Sequence, residues 1–190
     1  PSFNNLILLK DSIPIVPSHI SKREETIKEL LHSCNKNWLA IYGLYDTGKT
    51  QLAILIHHFL KLETFWISCK DIDRQVFIQK ILGSFDAVDE FDLLSKLSQL
   101  KGDQKKLIVL DDLIDFGQNE KIDTFFNNFI RGCIDNNIFI ISTSNYKIHN
   151  NIKTIHNDFI YEREVILLSE QETLEIIESY FILKSFVKYK

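Results

Sequence analysis

Gly43-Leu44-Tyr45-Asp46-Thr47-Gly48-Lys49-Thr50 fits the pattern G-x-x-x-x-G-K-[ST], and the residues on either side decide what the match means. Before it, Trp38-Leu39-Ala40-Ile41-Tyr42 is a short apolar run that reads as a buried strand. After it, Gln51 to Leu60 is largely apolar, lacks Gly and Pro, and is long enough for a buried helix. A strand, a tight glycine turn and a helix make a phosphate cradle, because backbone N–H groups and the positive helix end converge on phosphate oxygens. Gly43 and Gly48 supply backbone freedom. Lys49 is placed to reach the β and γ phosphates, and the Thr50 hydroxyl to coordinate Mg2+. The candidate nucleotide contacts in this stretch are Gly43, Leu44, Asp46, Thr47, Gly48, Lys49, Thr50 and Gln51. The ligand class is a nucleotide.

Working outward, the 190 residues suggest one domain, and 45% hydrophobic with 25% charged residues is the composition of a globular protein with a real core. The net charge of −4 and only four arginines (Arg23, Arg74, Arg131, Arg163) speak against nucleic acid as the main partner. No apolar run reaches the length of a membrane span and no secretory signal is present, so a cytoplasmic location is expected. Cys34, Cys69 and Cys133 are far apart in segments that read as buried, which suits a reducing compartment. The six histidines show no metal-ligand spacing. The chain begins at Pro1 without methionine and is expected to be a piece of something longer.

Residues 1–18 hold all three prolines and read as an extended lead-in. Ser21 and Glu24 predict a capping box opening a helix with Ile27, Leu30, Leu31 and Cys34 on one face. A second strand is predicted over Thr64–Cys69. A helix capped by Asp71 and ended by Gly83 follows, then another over 88–100 with Phe91, Leu94, Leu97 and Leu100 on one face. Leu107–Leu110 reads as the third strand, 120–132 as a helix, Ile138–Ile141 as the fourth strand and Val165–Leu168 as the fifth. Asn145 to Asp158 reads as a loop or irregular helix, and Ser169 with Glu172 predicts a capping box for a last helix.

Apolar strands alternating with helices imply an α/β fold with a parallel sheet covered on both faces. Ligands then bind at the carboxyl ends of the strands. The phosphate loop, Asp111-Asp112 and Ser142-Thr143-Ser144-Asn145 are all predicted just past strand ends, hence on one edge. Four apolar residues and then an acid is the second magnesium-binding element of such nucleotidases, which gives Asp111 to the metal beside Thr50. Asp112 is placed to orient or deprotonate the attacking water, the alternative being an acid that caps the next turn. Asn145 is either a hydrogen-bonding sensor of the γ-phosphate or an ordinary turn asparagine.

From about residue 16 to 181 the order of these elements resembles the NB-ARC ATPases of the STAND class, the switch domains of apoptosome-forming and plant disease-resistance proteins. Val16 to Glu24 resembles the family's hydrophobic-hydrophobic-Gly-Arg-Glu segment, which implies adenine contacts from Ile20, Ser21 and Arg23. Leu107 to Asp115 resembles its Leu-Asp-Asp-Val-Trp-Asp stretch. Ile141 to Asn145 sits where the family has its sensor, and Val165 to Glu172 resembles the strand leading into the first helical subdomain. Lys22 replaces a glycine, Tyr45-Asp46 replace small residues, and Asn145 replaces the sensor arginine, in the manner of the AAA+ sensor. No proline follows Pro17, so the Gly-x-Pro segment is absent, as is the winged-helix histidine.

The resemblance implies a phosphate-loop fold with a five-stranded parallel sheet of order 5-1-4-3-2. It divides the chain into a lead-in (1–18), a nucleotide-binding domain (19–168) and the first helix of a helical subdomain (169–190). It also implies an ATP/ADP switch with slow Mg2+-dependent hydrolysis, whose parent protein self-associates and recruits effectors. The competing expectation is an AAA+-type motor subunit, against which stands the lack of arginine between Asn145 and Glu162. A degenerate scaffold is disfavoured by the intact Lys49, Thr50 and Asp111.

Overall fold

In the computed structural model, which describes residues 11–15, 23–102, 104–115, 120–166 and 168–187, the first strand β1 (Trp38–Tyr42) lies inside a five-stranded sheet. Its neighbours in chain order are β2 (Glu63–Ser68), β3 (Lys106–Asp111), β4 (Phe139–Ser144) and β5 (Ile160–Glu164). The order across the sheet is β2-β3-β4-β1-β5, the one the family resemblance implies, and every pairing is parallel, as the apolar strands predict. The helices are α1 (Glu24–Ser33), α2 (Lys49–Leu60), α3 (Arg74–Ser84), α4 (Glu90–Gln99), α5 (Glu120–Asp135), α6 (Asn150–His156) and α7 (Glu170–Val187).

Successive residues of a strand point to opposite faces, and the chain uses this to build two cores. Trp38 and Ala40 of β1, Ile108 and Leu110 of β3 and Ile140 of β4 face one core, completed by α3, α4, α5 and α6. Leu39 and Ile41, Leu107 and Val109, and Phe139 and Ile141 face the other, closed by α1 and α2. The first core is aromatic. The Phe126 ring meets Trp38 edge-on at 5.8 Å between centroids and Phe77 at 6.0 Å. Such pairs add to area burial. Gly132 keeps α5 close to α4: a Cβ there would lie 2.8 Å from Leu94 Cδ2.

The structure moves several predicted boundaries. The fifth strand is Ile160–Glu164, five residues before the apolar run Val165–Leu168, with Trp38 opposite Ile160 and Tyr42 opposite Glu164. An edge strand beside β1 is held by backbone pairing on one side and tolerates Glu162, Arg163 and Glu164. Of the apolar run, Val165 is buried and donates its N–H to Tyr42 O, while Ile166 is exposed. β4 runs on to Ser144, so Ser142, Thr143 and Ser144 are strand residues rather than a loop beyond it. Buried hydroxyls are tolerated when bonded, and Ser142 Oγ accepts the Trp38 indole N–H at 2.8 Å.

The α3 cap is Asp73, whose carboxylate accepts from Val76 N–H, in place of Asp71, and the helix passes through Gly83 to Ser84. On α4 the buried pair is Leu93 and Leu97, one turn apart, and Phe91 faces solvent. Two helical residues advance about 200° around the axis, which puts Phe91 opposite Leu93. Cys69 and Cys133 are buried and Cys34 is half-buried; all three are free thiols. Ser169 and Glu172 form the predicted capping box: Ser169 Oγ accepts from Glu172 N–H and Glu172 Oε2 from Ser169 N–H. Ile20 and Ser21 lie outside the described residues; α1 starts at Glu24 with Arg23 as its N-cap. Among the described residues no helix is long and apolar enough to cross a membrane.

Phe126→Ala removes the ring at the meeting point of β1, α3 and α5. Urea unfolding should show it destabilised by about 3–5 kcal/mol, and a loss under about 1 kcal/mol would mean that this core repacks freely.

Candidate nucleotide site

β1 delivers the loop at the carboxyl edge of the sheet, where Gly43 N–H donates to Ser144 O. Gly43 is set by close approach: a Cβ there would meet the Val165 carbonyl oxygen at 2.4 Å. Gly48 is set by conformation, with φ of 81° as the N-cap of α2. Asp46, at φ 60°, is a non-glycine residue in the left-handed region, which aspartate tolerates better than most. Thr47 Oγ1 donates to Leu44 O at 3.0 Å and braces the turn.

Lys49 is buried, and its Nζ donates to Gly43 O at 3.1 Å and Leu44 O at 2.6 Å. Burial lowers its pKa, opposed by the negative charges of Asp112, Asp46 and Asp111 in that order. The ammonium is thus wrapped by carbonyl oxygens of its own loop.

Asp111 ends β3 with a carboxylate oxygen, Oδ1, accepting from two hydroxyls, Thr50 Oγ1 at 2.8 Å and Thr143 Oγ1 at 2.7 Å. Burial raises its pKa, and the two hydroxyls, Thr143 first, pull it back. Thr143 also accepts from Asp112 N–H at 2.8 Å and takes Leu113 N–H on its carbonyl, which fixes the turn after β3. Asp112 stands there at φ 55°.

These groups border a cavity of about 550 Å³ whose lining includes Asp46, Lys49, Thr50, Asp112 and Asn145. Gly48, Thr47 and Gln51 line it too, while Leu44 is exposed beside it. Leu168 and the exposed rings of Tyr45 and Tyr146 stand at the same cavity. A second cavity, of about 220 Å³, lies on the other side of the loop between Arg23, Leu52, Val165 and Glu172. Arg23 joins the two regions. Its Nη1 lies 3.7 Å from where a Gly48 Cβ would be, and its Nε pairs with Glu172 Oε1 at 2.8 Å.

The predicted residues therefore come together at one edge, except Ile20 and Ser21, which lie outside the described residues. Sequence reasoning missed two. Thr143 was read only as part of a polar run; a hydroxyl level with the strand-ending acid was the available signal. The Arg23–Glu172 pair joins residues far apart in the chain and has no local signature.

A model of the NB-ARC domain matches residues 20–186. The chain belongs to the NB-ARC family. It is a nucleotide-binding module of the phosphate-loop ATPase type. No curated protein sequence matches it. Domain III of the Thermotoga maritima replication initiation protein DnaA superposes with TM-score 0.62 at 14% identity, over 90% of this chain and 77% of that one. AMPPCP-bound DnaA from Aquifex aeolicus gives 0.58 at 17%, over 91% and 57%. The Aeropyrum pernix ORC1 protein in complex with DNA gives 0.60 at 19%, over 91% and 52%. The NB-ARC chain thus spans little more than half of the Aquifex and Aeropyrum proteins, and at these identities the likeness is one of fold.

A folded-state pKa raised above the unfolded one means that ionised Asp111 costs stability, and that the cost disappears as pH falls through the raised value. Asp111→Asn should accordingly match or exceed the wild type in urea unfolding at pH 7, with the advantage shrinking toward pH 4. A variant that loses stability steadily as pH rises would contradict this sign.

Proposed function

We propose that this NB-ARC module binds ADP and ATP as a signalling switch and hydrolyses ATP slowly. The observation that carries the reading is the Thr50–Asp111–Thr143 hydrogen-bonded cluster, whose Thr50 lines the 550 Å³ cavity together with Lys49. A hydroxyl and a carboxylate are hard oxygen donors, and Mg2+ is commonly held by one or two carboxylates together with substrate phosphates. Thr50 and Asp111 would hold it, and when bound it neutralises charge on the β and γ phosphates. Lys49 meets the same phosphates, and the loop N–H groups from Gly43 to Thr50 supply directional bonds. Asp112 orients the attacking water, and Asn145 contacts the γ-phosphate or that water. The smaller cavity by Arg23 takes the nucleoside; adenine contacts from Ile20 and Ser21 are what the family resemblance implies.

The proposed organisation is a lead-in over 1–18, the nucleotide-binding domain over 19–168 and the first helix of a helical subdomain over 169–190. The parent protein would self-associate and recruit effectors in signalling of the apoptotic or innate-immune kind, in the cytoplasm. A nucleic-acid partner is not proposed, on the net charge of −4 and the four arginines. The second reading, an AAA+-type motor subunit, draws on the fold likeness to replication initiators and on Asn145 in the sensor position.

Calorimetry decides the first step. Lys49→Ala should weaken ADP and ATP binding by about 2–3 kcal/mol; equal affinities would remove the loop from the account.

Among the described residues no arginine lines the cavity, and Arg23 beside Gly48 is paired with Glu172, so turnover should stay below about one per minute. Asp112→Asn should lower it further while ATP stays bound. Rapid turnover unaffected by that change would favour the motor reading.

A further inference from the structure

The cavity that takes the phosphates is lined by more carboxylates than ammonium groups: Asp46, Asp71, Asp112 and Asp115 against Lys49 and Lys70. Three of these acids can be set aside as determinants of phosphate number. Asp112 already has a proposed part in orienting water. Asp71 and Asp115 belong to the loops after β2 and β3, outside the phosphate loop. Asp46 is different, since it sits inside the phosphate loop itself, three residues before Lys49, where its backbone is held at φ 60°. Its side chain lines the same cavity as the Lys49 ammonium, from within the turn that Lys49 closes. A carboxylate that acts on Lys49 also acts on the phosphate that Lys49 binds, with the opposite sign.

We infer that Asp46 is a specificity-determining residue of this loop, one that biases the site toward the nucleoside diphosphate and against the triphosphate. The inference rests on the nucleotide reading above and adds to it a preference for one ligand. ATP carries one more negative charge than ADP, and that charge is on the phosphate group reaching furthest into the acid-lined cavity. Repulsion from Asp46 therefore falls mainly on the triphosphate. The carboxylate is exposed, so the effect is moderate and screened by salt.

Two substitutions remove the charge and keep the backbone. Asparagine and glycine are the residues that best accept a left-handed φ, so neither Asp46→Asn nor Asp46→Gly disturbs the turn. Titration calorimetry with MgADP and with MgATP, on the wild type and both variants at low and at high salt, reads the effect directly. Both variants should bind ATP about three- to fivefold more tightly and ADP less than about twofold more tightly. The gain should diminish at high salt. Equal changes for the two nucleotides, or no change, would overturn the assignment. Failure of the wild type to bind either nucleotide would instead overturn the site reading, and the inference with it.

Discussion

One carboxylate oxygen, Asp111 Oδ1, receives hydroxyl hydrogen bonds from two different elements, Thr50 on α2 and Thr143 on β4. The arrangement of the sheet edge depends on this junction. It ties the helix that leaves the phosphate loop to the two central strands, and Thr143 in turn fixes the backbone of Asp112. The price is a buried charge with raised pKa, a penalty that hydroxyl donors only partly offset.

The sheet behind it explains why the junction holds its geometry. β1, β3 and β4 alternate their side chains between two cores, so each strand is clamped from both faces. The Trp38 ring rests on Phe126 in one core while its indole N–H reaches Ser142, the residue before Thr143. Packing and hydrogen bonding thus fix β4 where its hydroxyls must meet Asp111. An interior packed at crystal-like density passes such constraints on with little slack.

Much of this was legible in the sequence because the central strands are buried on both faces and read as unbroken apolar runs. The phosphate loop, the strand-ending Asp111 and the Ser169–Glu172 cap all follow from local pattern, while the strand order comes from the family resemblance. What failed did so where pattern and burial part company. β5 is an edge strand carrying three charged residues, and among the described residues of the apolar run after it only Val165 is buried. Ser142 and Thr143 look like loop residues until their partners on β1 and β3 are known. Phe91 reads as core by residue type, and its place on α4 turns it outward. The Arg23–Glu172 pair depends on tertiary geometry that no spacing encodes.

That pair holds the first turn of α7, and the helix then runs for 18 residues, about 27 Å. Its capping box fixes the same turn, while Leu174 and Ile177 further along are about half exposed. Mechanically this is an arm clamped near its root. Arg23, the clamp, also borders Gly48 of the phosphate loop. A tilt of about 10° at the root sweeps the far end through about 5 Å, given the rise of 1.5 Å per residue. Any such tilt would have to be taken up at Arg23 and Glu172, the two side chains that meet at the root.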